Sequence, residues 1–355
     1  MPSLSFKTEP VTARLISPSG ETVEKDIEIR IHPITGRTCR IALSRTGQNE
    51  PGADTFPEPP PDAENTAQCP FCAPQVHTMT PRLIHELSPS GRLTHGESIL
   101  FPNLFPYGMY SAVSLFDNTH FVELGKASLP SYAHCLINCR NYLRQVLTHD
   151  PKAIHAAITQ NHLPSAGGSL IHPHLQINAD HRPANHQRFL NEKMDAYFSQ
   201  TRRRMLSDYL DHERNDGARY IGRTGEWEWM AAFAPEGFYE IWGILPNVTS
   251  LRTPDADAWQ SLAAGILNTQ HFYRSVCRNG YNLGILSLET PSSHMELRAV
   301  MTVRSNYAAW VRNDHSGFEV MLGDMATFTL PEDTARQARA FWTSNTLNLL
   351  SFQSV

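Results

Sequence analysis

Residues 161–177, which read NHLPSAGGSLIHPHLQI, constrain this chain more than any other stretch. A small-residue turn from Ser165 to Ser169 leads into Leu170-Ile171, and then two histidines flank one proline. Glycine has no Cβ, so Gly167 and Gly168 let the backbone come close to a bulky anionic group. Strand alternation puts His172, His174 and Gln176 on one face, anchored by Leu170 or Ile171. Three polar side chains in a row are costly to bury without partners, so such a face lines a site rather than a core. An imidazole placed there can ligate a metal, move a proton or act as a nucleophile. A histidine pair alone would read as polar side chains on a surface strand. The Gly-Gly-Ser before the pair and Gln176 after it shift the reading to a site.

The chain has 355 residues, enough for two domains with separate cores. With 41% hydrophobic and 18% charged residues and a formal charge of −5, it reads as a soluble globular protein without a polybasic face. Nucleic acid and membrane are therefore not expected partners. No run approaches the ~20 apolar residues of a membrane helix. The opening MPSLSFKTEPVT lacks the basic start and apolar centre of a signal peptide. Six cysteines are few for this length, and Cys39, Cys135, Cys139 and Cys277 show no pairing pattern. A reducing, cytoplasmic compartment is expected.

Cys69-Pro70-Phe71-Cys72 is either a two-thiolate clamp for zinc or a redox pair. The redox reading wants a strand before it and a helix opening at the first cysteine. What precedes it instead, from Gln48 to Thr66, is a polar, proline-rich connector. A structural zinc site needs two further ligands. His172 and His120 are candidates, and His77, His85 and His95 are rivals nearer in sequence.

Strands are expected within Ala13–Ser44, around Trp227–Leu245, and at Leu283–Ser287 and Met295–Arg304. Helices are expected over Ser128–Leu147, Pro183–Arg214 and Asp255–Val276. Asn215-Asp216-Gly217 breaks the third-quarter helix and marks a boundary, giving domains 1–214 and 215–355. The class is α+β.

The glycine/serine turn followed by His-Pro-His-x-Gln resembles the signature of the histidine-triad superfamily, and within it the galactose-1-phosphate uridylyltransferase branch. The resemblance implies that His174 attacks a nucleotide α-phosphorus to form a nucleotidyl-histidine, and that His172 is a zinc ligand. Ser114–His120 is similar to a family element that supplies another ligand, so the implied zinc set is Cys69, Cys72, His120 and His172. Ser169 and Gln176 would serve the transferring phosphoryl group beside His174, with Asn161, Gly167 and Gly168 on the substrate. Arg30 to Gly36, followed by Arg45, resembles a family pattern whose arginines approach the nucleotide phosphates. Ile99–Tyr107, with Asn103, resembles the segment that borders base and ribose. The implied fold is two histidine-triad-like halves, the second degenerate, each an antiparallel sheet with helices on one side, assembled as a homodimer.

The function implied is transfer of a nucleoside monophosphate from a nucleoside-diphosphate sugar to a small phosphorylated acceptor. The alternatives are a phosphorylase or hydrolase that passes the same group to phosphate or water, or a non-catalytic zinc-stabilised nucleotide-binding module. Many relatives carry His-x-His, ligating a second metal or contacting substrate, where Ser292–Glu296 here holds His294 alone.

Overall fold

The computed structural model describes residues 4–43, 55–306 and 318–343. Among them, strands β1 (Lys7–Ile16), β2 (Thr22–Ile31), β3 (Thr38–Ala42) and β14 (Met325–Thr327) form a small sheet in the order β1-β2-β3-β14. β1 and β2 pair antiparallel along their whole length, from Lys7↔Ile31 to Ile16↔Thr22. The β3–β14 pair is parallel.

The larger sheet has ten strands, all antiparallel. In chain order they are β4 (Leu93–His95), β5 (Ser98–Pro102), β6 (Tyr110–Leu115), β7 (His155–His162), β8 (His174–Asp180), β9 (Tyr220–Thr224), β10 (Trp227–Ala231), β11 (Ile241–Leu245), β12 (Gly280–Leu288) and β13 (Leu297–Arg304). Their order in space is β4-β5-β6-β8-β7-β12-β13-β11-β10-β9. The pairing of β7 with β12, from His155↔Leu288 to His162↔Tyr281, joins two five-stranded groups into one sheet. The strands expected from alternation are all present.

The helices are α1 (Gln75–Thr78), α2 (Leu129–His149), α3 (Asn185–Thr201), α4 (Met205–Asp216), α5 (Ala256–Ser275) and α6 (Pro331–Thr343). Ser128 caps α2 by accepting the Ser131 N–H, and Asp255 caps α5 by accepting the Ala258 N–H. The helical region expected over 183–214 is two helices. Arg202, at φ 60°, stops α3, and α4 restarts at Met205.

Alternate residues of the large sheet feed two cores. Leu175 and Ile177 of β8 and Leu297 and Ala299 of β13 join Leu136 and Leu143 of α2, Trp259 and Ile266 of α5, and Ala335 of α6 in one cluster. On the opposite face, Met230 of β10 and Trp242 of β11 pack against Met194 of α3 and Leu206 and Tyr209 of α4. α2, α5 and α6 thus lie on one face, whereas α3 and α4, against the expectation of helices on one side, cover the β10–β11 end of the other. Their apolar stripes would otherwise stay in water. The stretch of that second face around β8 and β7 carries the polar residues of the motif.

Candidate active site and metal centre

β8 begins at His174, opposite Leu115 of β6. The Pro173 carbonyl accepts the Phe116 N–H at 3.2 Å, and the ladder starts only after it. Alternation alone would place His172 beside His174 and Gln176. His172 instead lies at a bend ahead of the strand, because Pro173 has a fixed φ and no N–H to offer a ladder.

His172 turns towards the cysteines. Its Nδ1 stands 3.8 Å from the Cys69 Sγ and 3.5 Å from the Cys72 Sγ. The His120 Nδ1 is 3.3 Å from the same Cys72 Sγ. One ligand atom from each of Cys69, Cys72, His120 and His172 lies within 4.8 Å of every other. In tetrahedral zinc, bonds of about 2.3 Å to sulfur and about 2.0 Å to nitrogen put a sulfur and a nitrogen about 3.6 Å apart. The observed separations fit that figure. The outer nitrogens fit too. The His172 Nε2 donates to the Asp117 carbonyl at 3.2 Å and the His120 Nε2 to the Asp62 carbonyl at 3.1 Å. A carbonyl only accepts, so each ring carries its proton on Nε2 and turns a lone pair on Nδ1 inward. Burial holds the His172 imidazole down at about 4, which keeps that lone pair free. Cys69, Cys72 and His172 are buried, and His120 is half-buried. The four residues can hold a metal ion.

The metal cluster and the motif share a wall. The Phe71 ring, between the two cysteines, stands 6.0 Å from the His172 ring, 5.4 Å from the His174 ring and 5.3 Å from Phe101. Phe71 packs with Val76, Phe101, Val113 and Leu115, which ties the cysteine knuckle to β5 and β6. His174 itself is buried, and its Nδ1 donates to the His172 carbonyl at 2.7 Å. That bond fixes the tautomer and leaves Nε2 as the ring's lone-pair nitrogen. Burial lowers its basicity, so the ring is neutral at neutral pH.

The turn before the motif is held from several sides. Residues Pro164–Ala166 form one 3₁₀ turn, entered at Leu163 with φ 73° and left at Gly167 with φ 87°. A Cβ on Gly168 would lie 2.7 Å from the Asn161 carbonyl oxygen and 3.1 Å from that of Leu163. The N–H groups of Gly167 and Gly168 donate to the Pro164 and Leu163 carbonyls, at 2.9 and 3.1 Å. These glycines therefore shape the turn, and its exposed donor side falls to Ser169. Asn282 of β12 braces it: its Nδ2 donates to the Asn161 Oδ1 at 2.7 Å and to the Ala166 carbonyl at 2.9 Å. Thr159 lies opposite Gln176 in the β7–β8 ladder, and two residues on, Asn161 and His174 come next on the same face.

The remaining sequence candidates within the described residues make contacts of their own. Asn103, at the end of β5, accepts the Phe105 N–H through its Oδ1 at 3.1 Å. Arg30 of β2 is buried and committed: its guanidinium donates to Glu28, to both carboxylate oxygens of Glu332 at 2.9 Å and to the Phe233 carbonyl at 3.1 Å. Arg45 falls outside the described residues. His294 stacks on Phe198 at 3.7 Å. Sequence reasoning did not single out Phe71, Asn282 or the carbonyls of Asp62 and Asp117. The carbonyls carry no side-chain signal, and Asn282 is remote in sequence.

No protein-family profile matches the chain. It is 26% identical over 351 residues, 96% of this chain and 99% of the other, to an uncharacterized protein of Archaeoglobus fulgidus. Among solved structures it is similar to an ADP-glucose phosphorylase from Arabidopsis thaliana with bound ADP-glucose. That likeness has a TM-score of 0.68 and 18% identity, over 88% of this chain and 98% of that one. A uridylyltransferase structure matches with a TM-score of 0.66 and 17% identity, over 89% of this chain and 98% of the other. The chain shares the α+β fold of these two structures.

Proposed function

We propose that this chain is a nucleotidyltransferase that moves a nucleoside monophosphate from a nucleoside-diphosphate sugar to a small phosphate acceptor through His174. The observation that carries the reading is the His174 Nδ1–H bond to the His172 carbonyl, which leaves the Nε2 lone pair available beside a glycine turn. Attack of Nε2 on an α-phosphorus forms a P–N bond and releases the sugar phosphate. Attack by the acceptor then breaks that bond and returns the electron pair to the imidazole. Two transfers at one nitrogen predict ping-pong kinetics. Negative charge gathers on the phosphoryl oxygens during each step, and the Ser169 hydroxyl and the Gln176 amide are the donors proposed to meet it. The ADP-glucose bound to the similarly folded phosphorylase supports a nucleotide sugar as donor. Inorganic phosphate as acceptor would make the same chemistry a phosphorolysis.

The metal is proposed to be zinc, from the Cys₂His₂ donor set and its spacings. Bound there, it would clamp the segment bearing His172 to the cysteine knuckle. The homodimer is supported by exposed apolar side chains at Phe105, Tyr107, Met109 and Met321. A cytoplasmic setting agrees with six cysteines free of disulfides. Intact-protein mass spectrometry after brief incubation with a panel of nucleoside-diphosphate sugars tests the reading. Gain of one nucleoside monophosphate by the native chain and not by His174→Ala is expected; no gain with any donor, in zinc-loaded protein, rejects it.

A further inference from the structure

The turn that precedes the motif rests on the second half of the chain. β12 runs beside it as the partner of β7 and opens at Gly280, where a Cβ would lie 2.5 Å from the Ser165 Oγ. Two residues on, Asn282 faces Asn161 across the ladder. Its side-chain amide meets groups on both sides. Nδ2 donates to the Asn161 Oδ1 at 2.7 Å and to the Ala166 carbonyl at 2.9 Å, and Oδ1 accepts from the Arg304 Nη1 at 2.9 Å. Arg304 ends β13, the next strand, opposite Gly280.

These partners decide which way round two amides stand. A carbonyl only accepts, so the Asn282 atom facing Ala166 is nitrogen; a guanidinium only donates, so the atom facing Arg304 is oxygen. Both partners give Asn282 the same orientation. Its second Nδ2 proton then goes to Asn161, which must answer with Oδ1. With that oxygen turned to β12, the Asn161 Nδ2 turns towards β8, and it meets no acceptor among the described residues. Asn161 shares its sheet face with Gln176 and His174 and lines a cavity of about 370 Å³. An ionised phosphoryl oxygen only accepts, so the same amide turned over would set a carbonyl oxygen against it.

We propose that Asn282 and Arg304 are positioning residues for the transfer at His174. Through them the second half of the sheet sets the Asn161 amide so that its Nδ2, and not its Oδ1, meets the transferring phosphoryl group. The inference rests on the nucleotidyl-His174 reading. Charge on the phosphoryl oxygens grows as Nε2 closes on phosphorus, so losing a fixed donor lowers the rate of transfer more than it weakens binding.

The test labels the full-length protein with adenosine and uridine 5′-phosphorimidazolides and times the adduct by intact mass over a range of probe concentrations. In this step the His174 Nε2 forms a P–N bond, and imidazole leaves with the electron pair of the bond that breaks. Asn282→Asp keeps the shape and still accepts from Arg304, but it can donate to neither Asn161 nor Ala166, so Asn161 turns its Nδ2 to the new carboxylate. The saturating rate is expected to fall about 100-fold, the worth of one oriented donor, with the half-saturating concentration and the metal content nearly unchanged. In an Asn161→Ala background the same substitution should cost no more than about 10-fold, because the donor it misdirects is already gone. If Asn282→Asp fails to fold, Arg304→Met and Arg304→Lys carry the test: lysine still donates, so it should keep the rate that methionine loses. Additive losses, or an unchanged rate in Asn282→Asp, overturn this proposal alone, and so does equal behaviour of the two Arg304 variants. Native protein that takes no label removes the histidine reading and this one with it.

Discussion

At the scale of single residues, the site depends on which nitrogen of one ring is free. The His172 carbonyl fixes that for His174 at 2.7 Å, so His174→Ala is expected to abolish adduct formation while leaving the metal set intact; metal content and adduct mass check both halves of the statement. Adjacent glycines should respond differently. A Cβ at Gly168 meets the Asn161 carbonyl at 2.7 Å, whereas at Gly167 it meets nothing within 4 Å and faces only a φ of 87°. Gly168→Ala must therefore displace the turn, and a shift of that kind costs about 100-fold in turnover. Gly167→Ala should cost about 1 kcal/mol of stability, the penalty of a left-handed backbone, with a smaller loss of rate. Equal loss in kcat would contradict this difference. The motif itself was legible in sequence because histidine, glycine and glutamine at that spacing serve chemistry better than packing. Arg30 was not legible as a structural residue: its carboxylate partner, Glu332, is 302 positions away.

At the scale of elements, the metal centre clips three segments that share no ladder bond. The cysteine knuckle, the loop ending at His120 and the bend at His172 meet through their ligand atoms, through Phe71, and through bonds from the Ala73 N–H to Asn118, the His172 Nε2 to the Asp117 carbonyl and the Phe116 N–H to the Pro173 carbonyl. Removing the ion leaves two thiols and two imidazoles facing one another, and the bend ahead of β8 then rests on Phe71 and on the bonds to the Asp117 carbonyl and the Phe116 N–H. Chelation, or Cys72→Ser, is expected to lower the melting temperature by several degrees and to slow adduct formation, because the His172 carbonyl that orients His174 belongs to the same bend. Unchanged melting and unchanged labelling after verified metal removal would show that the bend stands without it. Both caps, Ser128 and Asp255, were readable from residue type, and so were the helices they open. The break between α3 and α4 was not. Arginine at φ 60° carries no compositional mark, and Arg203 there simply pairs with Asp208 and Asp211. The departure of His172 from the strand face was also hidden, since alternation counts residues and cannot register that Pro173 delays the ladder.

At the scale of the molecule, the sequence pointed to two halves and the structure joins them at β7 and β12, whose pairing links residues more than a hundred positions apart. The spatial order β4-β5-β6-β8-β7 recurs as β9-β10-β11-β13-β12, and we take this as support for a repeat divided near residue 214. Long-range ladders of this sort leave no local trace beyond the strands themselves. One consequence of the joined sheet is a set of buried titratable groups near its centre that work against each other as pH changes. Burial, aided by the neighbouring Glu236, pushes the Glu240 carboxyl up to about 7 from an ordinary 4.5. A raised acid contributes its full stability below the unfolded value and loses it as pH climbs through the folded one, a difference of about 3 kcal/mol. Burial instead holds His32 and His162 down at about 4, so the unfolded chain takes up protons that the folded chain refuses, and stability falls as pH drops from 6.5 towards 4. The two effects oppose each other between about pH 4.5 and 6.5 and part outside that window. Two histidines outweigh one carboxyl, so denaturant unfolding is expected to show stability rising with pH from about 4 towards neutral, the rise blunted by Glu240. Glu240→Gln removes the titrating group but keeps its volume. Whatever constant penalty the amide brings beside the Glu236 N–H, the stability gained between pH 5 and pH 8 should be larger in the variant by about 3 kcal/mol. Parallel slopes for the variant and the native chain would mean that Glu240 is ionised throughout, held by Arg298 more strongly than burial disfavours it.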